Sequence, residues 1–219
     1  MAKFIGKVQI KKWLIAELKP FLKKEGYSIK SSVNVEIETT TERILNFTGW
    51  QVHSDDSVAF GAGRIRIKKV EDILYSITAL EMYKLITPTI SILIPSNVET
   101  KKVITCREDI EEIAGTFKTV FQKIYLPRFK HYSEPKNILS LWDVLETDKE
   151  RGKVFQDSNN ISKILIISRM VNDSFYRRRV EEGLDNYQRR IDNGEKYFEE
   201  ELSNCRKVIG YLNANEIVW

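Results

Sequence analysis

From Ile10 to Leu22 the apolar residues Ile10, Trp13, Leu14, Leu18, Phe21 and Leu22 recur at steps of three and four, with Lys11, Lys12, Glu17 and Lys19 between them. The spacing predicts an amphipathic helix that kinks or restarts at Pro20, which has no N–H to donate, and stops at Gly26. The period then shortens to two. Ile29, Ser31, Val33, Val35 and Ile37 fall on one face and Lys30, Ser32, Asn34, Glu36 and Glu38 on the other, which predicts one strand with a wet face. After the polar connection Thr39-Thr40-Thr41-Glu42, residues 43–53 with Phe47, Trp50 and Val52 predict a second, antiparallel strand. Beyond the turn His53-Ser54-Asp55-Asp56, residues 58–67 predict a third, completing a meander.

Val70, Ile73, Leu74, Ile77 and Leu80 restore helical spacing over 69–84, broken at Thr87-Pro88. Residues 89–94 and 100–105 are β-rich and flank Pro95-Ser96-Asn97, as an additional hairpin would. Beyond Cys106 the pattern is helical throughout. Thr105 caps a helix with Glu108 and Asp109 in its first turn and Ile110, Ile113, Phe117 and Phe121 on its buried face, ended by Leu126-Pro127. Glu134-Pro135 opens a short helix through Ile138, Leu141 and Trp142. A polar stretch, 147–160, precedes three helical segments at 161–171, 174–192 and 195–212. The stripes of the last two are narrow and suit a helical hairpin turning at Gly194. Strands first and helices after imply an α+β fold, with an antiparallel sheet packed by helices, rather than alternating βαβ units. The expected organisation is an α+β domain over 1–146 and a helical C-terminal region over 147–219, attached or packed as part of the same domain.

Composition narrows the class. With 42% apolar and 30% charged residues the chain is too apolar for a disordered protein. The net charge of +4 comes from 35 basic and 31 acidic residues that are interspersed, so charge alone does not point to nucleic acid. Cys106 and Cys205 have the spacing of neither a disulfide framework nor a zinc site and read as free, buried thiols in a reducing compartment. The first residues hold no apolar run of signal-peptide length, and the tracts at 90–95 and 164–167 are too short to span a bilayer. A cytoplasmic, non-membrane protein is expected.

Candidate chemistry is sparse. His53 beside Asp55 and Asp56 reads as a polar turn before it reads as a base with a carboxylate, and His131 stands apart from it in sequence. Gly61-Ala62-Gly63-Arg64 lacks the third glycine and the following helix of a dinucleotide loop, so its glycines serve a strand bend or the close approach of another backbone. Glu111-Glu112 and Glu199-Glu200-Glu201 fit solvated helix faces. No nucleophile elbow, P-loop or metal-ligand spacing occurs, and no catalytic residue, cofactor or metal is assigned. The densest basic feature is Arg177, Arg178 and Arg179 with Arg189 and Arg190. On one helix Arg179 and Arg190 share a face, and such a strip can lie along phosphates. Glu181, Glu182, Asp185 and Asp192 are interleaved and offer salt-bridge partners instead. Trp50 reads as core, or as the lining of a groove if helices leave the sheet uncovered.

Three phrases carry a resemblance: residues 18–27 (Leu-Lys-Pro-Phe-Leu-Lys-Lys-Glu-Gly-Tyr), Val58-Ala59-Phe60-Gly61-Ala62-Gly63 leading into Val70-Glu71-Asp72-Ile73, and residues 105–113 leading to Leu126-Pro127-Arg128-Phe129. Together, over residues 10–145, they resemble an uncharacterised bacterial α+β family catalogued as a domain of unknown function. The resemblance implies a leading helix, an antiparallel sheet and an acidic-start helix ending at the Leu-Pro element. It also implies an immunity-like or accessory role through a protein partner, and it carries over no catalytic residue. The expected function is therefore non-enzymatic binding of a partner protein. The alternatives are a nucleic-acid-associated accessory protein using the arginine strip, and an enzyme whose site assembles from distant residues.

Overall fold

The computed structural model of the chain describes residues 5–31, 35–78, 87–155 and 159–219. In chain order the elements are α1 (Lys7–Lys24), β1 (Ser28–Ser31), β2 (Val35–Thr40), β3 (Ile44–Val52), β4 (Ser57–Phe60), β5 (Gly63–Ile67), α2 (Lys68–Thr78), β6 (Ile90–Ile92) and β7 (Lys101–Val103). Then follow α3 (Arg107–Val120), a π turn (Phe121–Tyr125), α4 (Leu126–Tyr132), α5 (Pro135–Val144), α6 (Asp148–Phe155), α7 (Asn160–Met170), α8 (Tyr176–Asp192) and α9 (Phe198–Ala214). The fold is α+β, with an antiparallel sheet and a helical C-terminal region. Two compact units form, residues 1–65 with 91–131 and residues 66–90 with 132–219.

In the first unit α1 buries Ile10, Leu14, Leu18 and Leu22 along one stripe. It runs unbroken through Pro20, where the sequence predicts a kink. Pro20 and Ala16, whose carbonyl loses its partner, are both exposed, so water can satisfy the freed group. Gly26 stops the helix as expected. Its φ of 82° allows Gly26 N–H to donate to Lys23 O and Tyr27 N–H to Leu22 O, closing the last carbonyls.

The alternation read as one strand across 29–38 is a hairpin of β1 and β2, in register from Ser28 opposite Glu38 to Ser31 opposite Val35. Each pair joins residues of equal parity, so the inside-outside pattern passes from one strand to the next unchanged. Residues 32–34 lie outside the described residues. The predicted third strand over 58–67 is β4 and β5, interrupted at Gly61-Ala62, and both pair with β3. The additional hairpin does not form between its own halves: β6 pairs with β5 and β7 with β4. Residues 79–84 of the predicted 69–84 helix also lie outside the described residues.

The helix beginning at α3 does not end at Leu126-Pro127. A π turn, with Leu126 N–H donating to Phe121 O, places Pro127 in the first turn of α4, where a missing N–H costs little. Thr105 lies one residue before the N-cap, Cys106, and donates its N–H and hydroxyl to Asp109 at 2.7 and 2.8 Å. The core is aromatic. Trp50, Phe60 and Phe117 meet with centroids 5.1–5.3 Å apart, and Phe121, Tyr125 and Phe129 continue the cluster. Each buried ring contributes about 1.5–3 kcal/mol.

In the second unit α7 is the central helix, buried from Ile161 to Ser168, with α2, α5, α8 and α9 packed around it. Among its buried residues is Lys163, whose ammonium donates to Pro88 O at 2.8 Å and lies 3.3 Å from Glu71 Oε1. The Thr89 hydroxyl donates to the same oxygen at 2.7 Å and accepts Ile67 N–H at 2.9 Å. Glu71 Oε2 is buried without a partner. The α8–α9 hairpin turns at Gly194, φ 91°. The polar stretch 147–160 is not merely a connection, for it contains α6, opened by a reciprocal cap between Thr147 and Glu150 and closed by the buried Phe155.

Candidate functional site

The site follows from how closely α7 and α8 approach. A Cβ on Gly183 would lie 2.6 Å from Ile161 Cγ2, so only glycine lets the two helices meet there. Beside this contact, α5 and α6 form the wall of a cleft of about 530 Å³. Its apolar surface comes from Ile161, Ile164, Leu165, Tyr187 and Phe198, and its polar surface from Asp148, Arg151, Arg179, Glu182, Asn186, Arg189 and Arg190.

The arginines are not equivalent. Arg179 is buried and bonded on two sides: a fork to Asp143, and Nε to Asp173 at 2.7 Å. Burial opposes ionisation of Asp173, but Arg179, the Ser168 hydroxyl and Phe175 N–H outweigh it and hold the carboxyl below its usual range. Arg190 lies 4.0 Å over the Phe198 ring and pairs with Glu195 at 3.3 Å and Asp148 at 3.9 Å. Arg151 stacks 4.4 Å over the Trp142 ring, with its Nε buried and unbonded. Arg189 donates, among the described residues, only to the Asp185 carbonyl, at 3.4 Å. Among the described residues no carboxylate pairs with Arg151 or Arg189. The exposed Tyr197 packs 4.3 Å from Phe198 at the edge of the cleft and donates its hydroxyl to Glu195.

Compared with family models, curated proteins and solved structures, the chain matches none.

The arginine strip is thus divided by the fold. Arg179, Arg189 and Arg190 line the cleft, while Arg177 and Arg178 lie exposed outside its lining. Arg178 pairs with Glu182 at 3.4 Å as the interleaving predicts, but Arg179 finds its partners on other segments, Asp143 and Asp173. Trp50 belongs to the first unit and is fully buried against Phe60 and Phe117, so its side chain has no surface to line a groove. The His53 turn is structural: Asp55 accepts Ser57 N–H and hydroxyl, and Asp56 accepts Ile5 and Gly6 N–H. Gly63 makes a close approach to an aromatic ring and not to another backbone, since a Cβ there would lie 2.9 Å from Tyr125 Cδ1. Of the two thiols expected to be buried only Cys205 is, and burial pushes it up to about 11; Cys106 is exposed, because it caps the start of α3. Glu111 pairs with Arg107 and Glu112 with Lys102. No cluster of metal-ligating side chains occurs among the described residues, and none of their helices is long and apolar enough to cross a membrane. Trp142, Arg151, Asp143 and Asp173 are the site residues that sequence reasoning missed. They come from α5, α6 and the turn before α8, and no local spacing marks them.

Proposed function

We propose that the chain is a non-enzymatic binding protein and that the helical unit holds its docking surface for a partner protein. The observation that carries this reading is the cleft, whose volume of about 530 Å³ falls within the range of ligand-taking pockets, about 300–1,000 Å³. Exposed apolar side chains stand near its lining residues in sequence: Val144 on the same helix as Trp142, Phe175 one turn before Arg179, and Tyr197 next to Phe198. A small ligand would leave these uncovered, whereas a protein surface would cover them. The immunity-like or accessory role implied by the family resemblance belongs to this same proposal. The nucleic-acid alternative is weakened because Arg179 is withdrawn into the unit and doubly paired, which interrupts the strip.

The test is co-purification from native cells with the intact chain and with a Phe175→Glu/Tyr197→Glu variant, which changes only exposed positions. A stoichiometric protein retained by the first and lost by the second is the expected result. Recovery of nucleic acid, or of no stoichiometric protein, would overturn the proposal.

A further inference from the structure

Resting on the partner-binding reading, we infer that the cleft takes an acidic linear segment of the partner, with Arg151 and Arg189 meeting its carboxylates and the apolar floor taking a neighbouring hydrophobic side chain. The division of labour among the arginines points to this occupant. Arg179 and Arg190 spend their charge on Asp143, Asp173, Asp148 and Glu195 and thereby tie α5, α6 and α8 together. Arg151 and Arg189 line the same cleft with no carboxylate partner among the described residues, while its two lining carboxylates are engaged elsewhere, Asp148 with Arg190 and Glu182 with Arg178. The face of the Arg151 guanidinium is occupied by Trp142, which leaves its N–H edge for an in-plane acceptor, and a carboxylate matches that fork. Ile161, Ile164 and Leu165 supply an apolar floor beside these cations.

The same charges discriminate between polyanions. Glu182 lines the cleft and pairs with Arg178, and exposed Glu181 and Asp185 lie on the same helix. A duplex places a charge about every 1.7 Å along its axis and could not avoid those carboxylates. A peptide can present one or two acidic groups to the cleft and keep uncharged residues over the acidic surface. Like-charge contact is costly enough to select between the two.

The experiment is selection of random linear peptides displayed on phage by the full chain, with the enriched peptides then resynthesised and titrated. Enriched peptides should combine Asp or Glu with an aromatic or branched aliphatic residue. Binding should weaken roughly tenfold or more in Arg151→Gln/Arg189→Gln and stay unchanged in Arg177→Gln, with far-ultraviolet circular dichroism confirming that each variant folds. An Arg151→Glu/Arg189→Glu variant should instead enrich basic peptides, an outcome that a merely unfolded cleft cannot produce. Enrichment of uncharged or basic peptides by the native chain, acidic peptides indifferent to Arg151 and Arg189, or no enrichment would each overturn the inference. Those outcomes leave the partner-binding reading to its own test with the Phe175 and Tyr197 variant. Nucleic-acid binding abolished by the Arg151 and Arg189 substitutions would remove both.

Discussion

Replacing Lys163 by Met keeps the aliphatic stem in the packed centre of α7 and removes the ammonium. Two losses follow. Pro88 O is left without its donor at 2.8 Å, and a hydrogen bond from a charged group contributes about 1.5–3 kcal/mol. Glu71 is left buried without its counter-charge. Burial already pushes its carboxyl up, while Lys163, the Thr89 hydroxyl and Arg66 pull it back down. Without Lys163 the carboxyl escapes the charge by taking a proton. Starting from an ordinary value of 4.5, that protonation costs at most about 3.4 kcal/mol at pH 7 and about 0.7 kcal/mol at pH 5. The expected destabilisation is therefore about 3–5 kcal/mol at pH 7, with up to about 2.7 kcal/mol of it recovered at pH 5. Glu71→Gln/Lys163→Met should keep only the part that does not depend on pH. In the native chain a raised carboxyl binds its proton more readily when folded, so stability falls as pH rises from the ordinary value through the folded one, and Glu71→Gln should flatten that slope. Urea denaturation of the four proteins at pH 5 and pH 7 measures all of this. A Lys163→Met penalty identical at the two pH values, or simple additivity of the two substitutions, would refute the reasoning.

Arg179→Met should cost about 2–3 kcal/mol by urea denaturation, less than a fully buried pair because Asp143 is half exposed. It should also diminish the acid-side loss of stability that the depressed Asp173 produces as pH falls through the carboxylate range. Asp109→Asn should cost about 1 kcal/mol through the weakened start of α3. Asp109 is held at about 2 against an ordinary 3.8, so its contribution is full above that ordinary value and drains away as pH falls toward 2, a slope the Asn variant should lack in thermal melts. Gly183→Ala should lose up to about 2 kcal/mol, because overpacking by about 1–3 kcal/mol outweighs the gain in helix propensity of about 1 kcal/mol. Adding Ile161→Leu removes the methyl that clashes and should restore the melting temperature; a Gly183→Ala variant more stable than the native chain would show that the helices can part without penalty.

Where a pattern depends on one element alone, the sequence reports it faithfully. The stripe Ile10, Leu14, Leu18, Leu22 and the stop at Gly26 are of this kind, as is the hairpin turn at Gly194. Errors arise where two elements share one pattern. Equal-parity pairing hides the reversal between β1 and β2, and the gap at Gly61-Ala62 leaves the period of the third strand almost intact. The helix α6 was legible in principle, since Thr147 and Glu150 stand at capping-box spacing; its high charge drew attention to solvation instead. That residues 66–90 join the helical unit has no linear signal, because Glu71 finds Lys163 only when the chain folds. For the cleft, half was visible: Arg179 and Arg190 share a face of α8 as their spacing requires. Their partners and Trp142 were not, since these are brought to α8 by the packing of α5 and α6 and by the turns that flank α8.

The π turn at Phe121–Tyr125 changes what a repeating residue spacing can build. In an α-helix a step of four residues overshoots a full revolution by about 40°, so aromatics at such steps drift around the axis. Phe117, Phe121, Tyr125 and Phe129 stand at steps of four, yet neighbouring rings remain in contact along the whole series. The wider turn under-rotates where the α-helix over-rotates, and the drift is cancelled in the middle of the row. Wound as α-helix throughout, the same residues would let the drift accumulate to about 120° by Phe129, so the winding of this segment is as much a determinant of the aromatic core as its composition.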